Sequence, residues 1–262
     1  MSIHPTAVID PKAELADDVE VGPYACIGAE VVLARGVTIG PHGVVIGPTR
    51  IGEGTRLFPH AVLGADPQDK KYRGERSELI IGAHNVFREF STANRGTPAG
   101  TGRTVIGDHN LFMANSHVAH DCQVGNGCVF ANSVALAGHV SVADHAVLGG
   151  LVGVHQFTRI GRHAMLGGGA MVAQDVPPFT LAQGDRARLF GLNAVGLRRG
   201  GFTLDAIQAL RSAYRELFQQ GLPLRQALEQ VRETYADVPE VVELVHFIST
   251  SERGVCRGAA EL

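Results

Sequence analysis

The chain has 262 residues, of which 33 are Gly, and a formal net charge of −3. The Gly content is nearly twice the ~7% that is typical of proteins. Only 12 residues are Pro and no Gly-X-Y period is present, which excludes collagen and a Pro/Gly-rich linker. Hydrophobic residues make up 45% of the chain, enough for a packed core. The slightly acidic charge is opposite to the strongly basic balance of a nucleic-acid-binding domain, so we expect no nucleic-acid partner.

Cysteine usage and the N-terminus predict a cytoplasmic protein. The four Cys form no Cys-x-x-Cys motif and are too few for a disulfide scaffold, so we expect a reducing compartment. The first residues lack the basic and apolar segments of a secretion signal. The longest stretch without charged residues, 122–143, is interrupted by polar side chains. We therefore expect no stable membrane insertion.

Large apolar residues recur every six positions through most of the chain. The first run is Ile3, Ile9, Leu15, Val21, Ile27, Leu33, Ile39, Val45, Ile51, Leu57 and Leu63. The second run is Ile106, Phe112, Val118, Val124, Phe130, Leu136, Val142, Leu148, Val154, Ile160, Leu166 and Val172. A small or β-branched residue follows four positions later, as at Ala7 and Val134, so each hexad has two inward positions separated by a turn. This pattern resembles the hexapeptide repeat of the left-handed parallel β-helix, in which three hexads make one triangular coil. We therefore predict a mainly β fold of this type with a C-terminal α-helical domain.

Two charged or Gly-rich segments interrupt the hexads, residues 64–80 and 93–104. The first preserves the phase of the repeat and the second shifts it by one residue, so both are predicted to be loops that protrude from the coils. Binding residues are often carried on such loops.

The hexads stop after Pro177 and Pro178, and helical patterns follow. Thr203 is a plausible N-cap for a helix that ends at Gly221, and two further helices are expected after Pro223 and Pro239. The inward face predicted for the first of these helices is Leu204, Ile207, Leu210, Tyr214 and Leu217. We assign residues 1–189 to the β-helix domain and 190–262 to the helical domain.

Seven of the twelve His residues occupy the fourth place of a hexad, where a solvated turn explains them: His42, His60, His84, His109, His139, His145 and His163. Residues one coil apart stack about 4.8 Å from each other. This rule places a set of polar residues and a glycine on one edge of three consecutive coils. The set is His120, Asp121, Gly138, His139, His155 and Gln156. His117 lies on the same coil as His120, near the preceding corner.

This set has groups that can take a proton from a substrate and stabilise an oxyanion. His titrates near neutral pH and can act as a general base, and Asp121 beside His120 can fix its tautomer. Gly138 leaves room for a substrate and can present its N–H to a developing oxyanion. No Ser or Cys lies in the set, which favours direct attack by a substrate hydroxyl. Three His could also hold a metal, but the metal-dependent hydratases of this fold use a His pair five residues apart, which this chain lacks, so we expect none.

Several motifs resemble the acyl-carrier-protein-dependent UDP-N-acetylglucosamine 3-O-acyltransferase family, which catalyses the first step of lipid A biosynthesis. They are Gln68-Asp69-Lys70-Lys71-Tyr72, His117-Val118-Ala119-His120-Asp121-Cys122, Leu136-Ala137-Gly138-His139-Val140, Val154-His155-Gln156-Phe157, Ala173-Gln174-Asp175-Val176-Pro177-Pro178, Gly191-Leu192-Asn193 and Gly196-Leu197-Arg198-Arg199. The resemblance implies that His120 is the base, that Asp121 orients it and that the Gly138 amide stabilises the oxyanion. It implies that the nucleotide sugar is held by Asp69, Lys71, His117, His139, Gln156 and Asn193, with His155 and Arg199 also in the binding set.

The same resemblance implies a homotrimer with its active sites between neighbouring prisms. It implies UDP-N-acetylglucosamine as acceptor and a (3R)-hydroxyacyl donor on the phosphopantetheine of acyl carrier protein, with no other cofactor. An acidic carrier suits the basic stretch 184–202, which has four Arg against one Asp. In the family that this chain resembles, the residue at the position of Gly168 limits the length of the acyl chain. Gly168 lies about 13 Å along the prism axis from His120. Because a glycine has no side chain to close the groove, we expect a long donor chain, of about 12 to 14 carbons.

The chain departs from the family pattern at Asn94, where His is common, and at Gly200, where Arg is usual. Some relatives also use a 3-amino sugar and form an amide. The rival enzymes are the N-acyltransferase of the same pathway, which carries an extra N-terminal domain, and a CoA-dependent hexapeptide acetyltransferase. A purely structural β-helix would not need the His120 set.

Overall fold

The computed structural model describes residues 2–258. The first strands in chain order are β1 Ser2–Ile3, β2 Val8–Ile9, β3 Glu14–Leu15, β4 Glu20–Val21, β5 Cys26–Ile27, β6 Val31–Leu33, β7 Thr38–Ile39, β8 Val44–Val45, β9 Thr49–Ile51, β10 Arg56–Leu57, β11 Val62–Ala65, β12 Glu78–Ile81, β13 Val86–Phe87 and β14 Thr92–Asn94. They are followed by β15 Arg103–Ile106, β16 Leu111–Phe112, β17 His117–Val118, β18 Gln123–Val124, β19 Val129–Phe130, β20 Ala135–Leu136, β21 Ser141–Val142, β22 Val147–Leu148, β23 Gly153–Val154, β24 Arg159–Ile160, β25 Met165–Leu166, β26 Met171–Val172, β27 Thr180–Gln183 and β28 Arg188–Leu192.

These strands form the three sides of a triangular prism. Among β1 to β26 every third strand belongs to the same sheet: the first sheet starts with β1 and β4, the second with β2 and β5, and the third with β3 and β6. Pairing between these coils is parallel, as in Val129 with Val147 and Ser141 with Arg159. The predicted left-handed parallel β-helix of hexapeptide repeats is therefore confirmed.

The core is a continuous column inside the prism, filled by the two inward positions of each hexad. The large positions carry residues such as Leu136 and Leu148, and the small ones carry Ala146 and Cys128, all fully or almost fully buried. Alternating large and small side chains fill a narrow triangular interior at the density of a protein core. Phe112 and its neighbours one coil away stack with ring centroids 4.5 and 4.7 Å apart.

The corners explain the many His residues. The fourth place of a hexad adopts a left-handed backbone, with φ of 56° at His42, 63° at His60 and 58° at His109. Asn, Asp and His enter this region more readily than most side chains with a Cβ. The corner rings also stack on one another from coil to coil, as His42 does on His60 at 4.9 Å. The seven His assigned to turns are all at such corners, so the turn interpretation is confirmed, and the stacking adds to it.

Each corner is named here by one of its left-handed residues. The Leu151 corner joins the first sheet to the second, the Asp121 corner joins the second to the third, and the His163 corner joins the third to the first. Both predicted loops leave from the Asp121 corner. The first connects β11 to β12 across residues 66–77, and the second connects β14 to β15 across residues 95–102, so each is shorter than predicted because the flanking residues pair as strands.

The C-terminal part contains α1 Ala194–Arg199, α2 Leu204–Phe218, α3 Leu224–Thr234 and α4 Pro239–Ser249. The side chain of Thr203 accepts a bond from the Ala206 N–H at 3.1 Å, as an N-cap should. Two details of the prediction were wrong. α2 ends at Phe218, before Gly221, and Leu204 is 78% exposed because it lies at the start of the helix, outside the packed face.

The helices pack around their own cluster of buried residues, which includes Leu197, Leu210, Val231 and Leu244. The antiparallel strands β27 and β28 connect this cluster to the prism, and β28 crosses the predicted domain boundary at residue 189. The last residues of the predicted helical domain, 259–262, lie outside the described residues. The division into two domains stays a prediction.

Candidate active site

His120 and Asp121 lie together at the Asp121 corner. Asp121 takes the left-handed turn position with φ of 58°, and its carboxylate Oδ2 is 2.8 Å from His120 Nδ1. An ionised carboxylate only accepts hydrogen bonds, so His120 donates from Nδ1 and its neutral form has an unprotonated Nε2. The His120 side chain is 14% exposed and that of Asp121 is fully buried. The pair therefore has the tautomer of a general base.

The ring of His120 rests against Gly138, one coil away. A Cβ placed on Gly138 would lie 2.5 Å from Cε1 and 2.7 Å from Nε2 of His120. These distances are far below ordinary contact, so only glycine fits while the ring keeps this position. The stacking predicted from the coil length is confirmed here, and it places the Gly138 backbone beside Nε2.

The second loop surrounds the Asp121 carboxylate with donors. The Thr97 hydroxyl donates to Oδ2 at 2.7 Å and the Thr97 N–H donates at 3.0 Å. The Thr101 N–H donates to Oδ1 at 2.8 Å. Burial acts to raise the pKa of Asp121, but the bonds from Thr97, His120 and Thr101 outweigh it and hold the pKa below its usual value. Asp121 is therefore a carboxylate at neutral pH.

His139 and His117 flank the pair as largely neutral rings. His139 Nε2 is 4.0 Å from Asp121 Oδ2, and its ring stacks on Phe157 with centroids 4.4 Å apart. His117 Nδ1 is 2.7 Å from the hydroxyl of Thr92. Burial lowers the pKa of both His residues, and the neighbouring His120 lowers that of His117 further. Neutral imidazoles can both donate and accept hydrogen bonds, which suits the hydroxyls of a sugar.

The first loop carries Asp69 and Lys71. The charge of Asp69 acts to raise the pKa of His139, against the larger effect of burial, which lowers it. Asp69 Oδ1 accepts from the Lys71 N–H at 2.9 Å, which orders the turn. The Lys71 side chain is exposed. Both predicted residues therefore lie on the loop that leaves the prism at the Asp121 corner.

The buried guanidinium of Arg95 anchors the base of that loop. It donates to the carbonyls of Gly64 at 2.7 Å and Gly47 at 3.0 Å, and it pairs with Asp66. The adjacent Asn94 donates to the Asp66 carbonyl at 2.9 Å. The departure from the family pattern at Asn94 therefore falls on a buried loop anchor.

A groove of about 810 Å³ runs over the outer face of the second sheet beside the corner. Small residues such as Ala119, Ala137 and Gly153 form its floor, and His155 and Arg253 lie at its side. Arg253 donates to His155 Nδ1 at 3.2 Å. Gln156 and His155 are exposed. An apolar floor bordered by polar groups is suited to a ligand with both characters.

The remaining predicted residues lie at other corners. Asn193 caps α1, and its amide donates to the carbonyl of His163 at 3.0 Å. Arg199 ends the same helix and is exposed. Gly168 lies at the Leu151 corner, where its nearest neighbour across the coil is the carbonyl of Gly150. One copy of the chain therefore does not bring these three residues to His120.

Similarity to known proteins extends over nearly the whole chain. The chain is 54% identical over 256 residues to acyl-[acyl-carrier-protein]--UDP-N-acetylglucosamine O-acyltransferase of Stenotrophomonas maltophilia, covering 97% of both chains. It is 58% identical over 255 residues to the protein of that name from Alkalilimnicola ehrlichii, covering 97% of this chain and 99% of that one. The family model of UDP-N-acetylglucosamine O-acyltransferase, domain 2, matches residues 175–256, and the bacterial transferase hexapeptide model matches residues 103–138.

The chain belongs to the acyl-[acyl-carrier-protein]--UDP-N-acetylglucosamine O-acyltransferase family. Solved structures agree with this assignment. A UDP-N-acetylglucosamine acyltransferase superposes with a TM-score of 0.95 at 42% identity, covering 99% of this chain and 100% of that one. LpxA from Acinetobacter baumannii superposes with a TM-score of 0.94 at 44% identity, covering 97% and 99%. The chain is therefore an acyltransferase, as the sequence motifs predicted.

The site of this acyltransferase includes residues that sequence reasoning missed. Thr97 and the backbone N–H of Thr101 donate to Asp121, and Arg95 anchors the first loop. The sequence did contain a signal for Thr97 and Thr101. The phase shift in the second loop marks an insertion at the corner that carries His120, so this loop had to pack against that corner. Arg253 was missed because it follows α4, far along the chain from the groove that it lines.

Two alternative chemistries concern the same corner. His120, Asp121 and His139 have potential metal-ligand atoms within 4.8 Å of one another. Both oxygens of Asp121 already accept bonds from the second loop, and the expectation of a metal-free site stays a prediction. The thiol of Cys122 faces the core, and burial raises its pKa to about 12, so it is a poor nucleophile.

None of the helices in residues 2–258 is long and apolar enough to cross a membrane.

Proposed function

We propose that the chain transfers a (3R)-hydroxyacyl group from acyl carrier protein to the 3-hydroxyl of UDP-N-acetylglucosamine. The two substrates are taken from the names of the related acyltransferases described above. The observation that carries the mechanism is the 2.8 Å bond between His120 Nδ1 and Asp121, together with the contact between His120 and Gly138. This arrangement combines a base, a group that orients the base, and a backbone amide at the place where the acyl carbonyl can approach.

In the proposed reaction His120 Nε2 takes the proton of the sugar 3-hydroxyl while its oxygen attacks the thioester carbonyl carbon. The Gly138 N–H stabilises the oxyanion of the tetrahedral intermediate. When this intermediate collapses, the C–S bond breaks and the imidazolium returns its proton to the phosphopantetheine sulfur. Asp121 stays ionised and stabilises the imidazolium throughout. The step needs no other cofactor, and a covalent enzyme intermediate is disfavoured because the nearby Cys122 is a buried thiol.

The nucleotide sugar is proposed to bind over the Asp121 corner. Asp69, His117, His139 and Gln156 offer donors and acceptors around the sugar, and Lys71 offers a charge for a phosphate. His155 lies next to them at the groove.

The proposed function includes a homotrimer. In it, one copy contributes Asn193, Arg199 and Gly168 to the active site of a neighbouring copy. In one copy of the chain Asn193 lies at the His163 corner, Gly168 lies at the Leu151 corner and Arg199 lies at the end of α1. A neighbouring copy packed along the prism could bring them to the cleft, which supports the trimer. The Arg-rich stretch that contains Arg199 also suits docking of the acidic carrier. Coils are about 4.8 Å apart, which places Gly168 about 13 Å along the prism axis from His120. If Gly168 is the end of the acyl groove, the preferred donor has about 12 to 14 carbons.

The test is a panel of donors and acceptors assayed with the purified protein and its variant His120→Ala. We expect transfer from acyl carrier protein but not from CoA, and to the 3-hydroxy rather than the 3-amino sugar. Loss of a general base should reduce kcat by about 10²- to 10⁴-fold. His42→Ala is the control, because His42 is an exposed corner residue that stacks on His60, three coils away from His120. Equal activity of His120→Ala and the wild type would refute the role of His120, and transfer from CoA would refute the choice of carrier.

A further inference from the structure

The second loop forms a cradle for one carboxylate. This loop leaves the prism at the Asp121 corner, one coil before Asp121, and packs against the Asp121 carboxylate. Oδ2 accepts from the Thr97 hydroxyl at 2.7 Å, from the Thr97 N–H at 3.0 Å and from His120. Oδ1 accepts from the Thr101 N–H at 2.8 Å. The Thr101 hydroxyl lies 3.2 Å from Oδ1, but it donates its proton to the nearer Arg103 carbonyl at 2.7 Å. The second loop therefore supplies three donors to one carboxylate.

Two further contacts make the cradle specific for this side chain. A Cβ on Gly100 would lie 2.5 Å from the Asp121 carboxyl carbon, so the loop closes this tightly only with glycine there. The backbone N–H of Asp121 donates to the hydroxyl of Thr104 at 2.8 Å, which fixes the main chain as well. Asp121 is thus held at both its backbone and its carboxylate.

We propose that Thr97 is a positioning residue for catalysis: through Asp121 its hydroxyl sets the orientation of His120 and the affinity of His120 for the substrate proton. The proposal rests on the proposed function, in which His120 is the base. Thr97 acts through the carboxylate of Asp121.

The physical argument concerns how firmly the carboxylate holds the proton of His120. Hydroxyl donors spread the negative charge of Asp121 and favour its ionised form. When one donor is removed, the remaining charge is concentrated on the bond to His120, so the imidazolium holds its proton more tightly. The carboxylate also gains freedom to rotate. The first effect makes the base harder to regenerate, and the second misaligns it.

Other titratable groups face the same pair and stay unchanged in the test. His139 is 4.0 Å from the Asp121 carboxylate, and His117 and His120 interact. Asp69 acts on His139, and the Cys122 thiol is affected by Asp121. Because these groups are common to all variants, a difference between variants reports on the removed hydroxyl.

The experiment compares Thr97→Val, Thr97→Ser and Thr101→Val with the wild type. Val removes the hydroxyl and keeps the shape and the backbone N–H, whereas Ser keeps a hydroxyl. Thr101→Val removes a hydroxyl that donates to the Arg103 carbonyl and keeps the N–H that donates to Asp121. Thr180→Val is the matched control, because Thr180 is a fully buried residue whose hydroxyl donates one bond, to the carbonyl of Pro177 at 2.7 Å. Thermal unfolding of every variant measures the purely structural cost.

We expect Thr97→Val to lower kcat by about ten-fold, the size of one charge-assisted hydrogen bond, with little change in KM for the nucleotide sugar. The acidic limb of its kcat profile should move to higher pH. Thr97→Ser should recover, and Thr101→Val should leave the acidic limb in place because it keeps the N–H that donates to Asp121. Thr180→Val should lower the melting temperature without moving the acidic limb. An unmoved limb in Thr97→Val, or an equal movement in Thr180→Val, would overturn the proposal.

A second readout does not depend on activity. The imidazole ¹⁵N resonances of His120, assigned by their absence in His120→Ala, are titrated in the wild type and in Thr97→Val. We expect the midpoint to be higher in the variant. If the wild type proves inactive on the proposed substrates but the midpoint moves, the proposed function fails and the positioning of His120 by the loop stands. If the midpoint is the same in both proteins, the positioning role is wrong whatever the enzyme transfers.

Discussion

The contact between Gly138 and His120 gives the most direct prediction. In Gly138→Ala the new Cβ would lie 2.5 Å from Cε1 and 2.7 Å from Nε2 of His120, whereas an ordinary contact begins at 3.4 Å. The backbone of Gly138 is part of the coil ladder, so the imidazole has to give way. It has to retreat by about 1 Å, against the 2.8 Å bond to Asp121. A misplacement of about 1 Å in a reacting group costs about 10²-fold in rate, which is about 2.7 kcal/mol in the barrier.

The assay is steady-state transfer with saturating donor, together with thermal unfolding. Gly28→Ala is the control, since its added Cβ makes ordinary contacts, with the Val45 carbonyl at 3.4 Å and with Gly47 N and Ile46 Cα at 3.6 Å, in a coil far from the site. We expect kcat of Gly138→Ala to fall by about 10²-fold while Gly28→Ala stays within two-fold of the wild type. A Gly138→Ala enzyme with wild-type kcat would refute the placement of His120 against this glycine.

Three further predictions concern the loop anchor, the acyl groove and a corner histidine. Arg95→Met removes the buried anchor of loop 66–77, so KM for the nucleotide sugar should rise by about ten-fold and proteolysis within the loop should accelerate; an unchanged KM would contradict the anchoring role. Gly168→Met adds a side chain where a Cβ meets only the Gly150 carbonyl at 3.4 Å, so competition between donors should shift towards shorter acyl chains, and unchanged selectivity would show that Gly168 does not limit chain length. Burial, helped by His145 and Arg162, lowers the pKa of His163 to about 4, so its neutral ring stabilises the fold above about pH 6.5 and this contribution is lost as the pH falls towards 4. The melting temperature of His163→Phe should depend less on pH in that window, and an equal dependence would refute the assignment.

Hexad arithmetic predicted the neighbours within the prism because the coils repeat by translation. Once the period was known, His120 had to lie beside Gly138, and Asp121 beside His139, and both contacts are present. The same arithmetic placed the corner His residues. Their abundance also has a local cause, because the left-handed turn position favours side chains such as His.

The helices were less completely predicted. Thr203 was recognisable as an N-cap because capping depends on residues close in sequence. The end of α2 and the exposure of Leu204 depend on which neighbours the helix meets, and those neighbours come from α3, α4 and β28. The short helix α1 and the hairpin of β27 with β28 were not predicted, since neither has a repeated pattern.

The sequence by itself determined the β-helix, the edge that carries His120 and Asp121, and the family motifs, because these follow from a short period and from residues adjacent in the chain. Only the tertiary structure decided that the second loop cradles Asp121 with Thr97 and Thr101, and that Arg95 fastens the first loop. It also placed Asn193 and Gly168 away from His120 in one copy of the chain. The physical reason is that loops break the period: once the repeat is interrupted, the contacts of a residue depend on the path of the chain through space and no longer on its distance along the sequence.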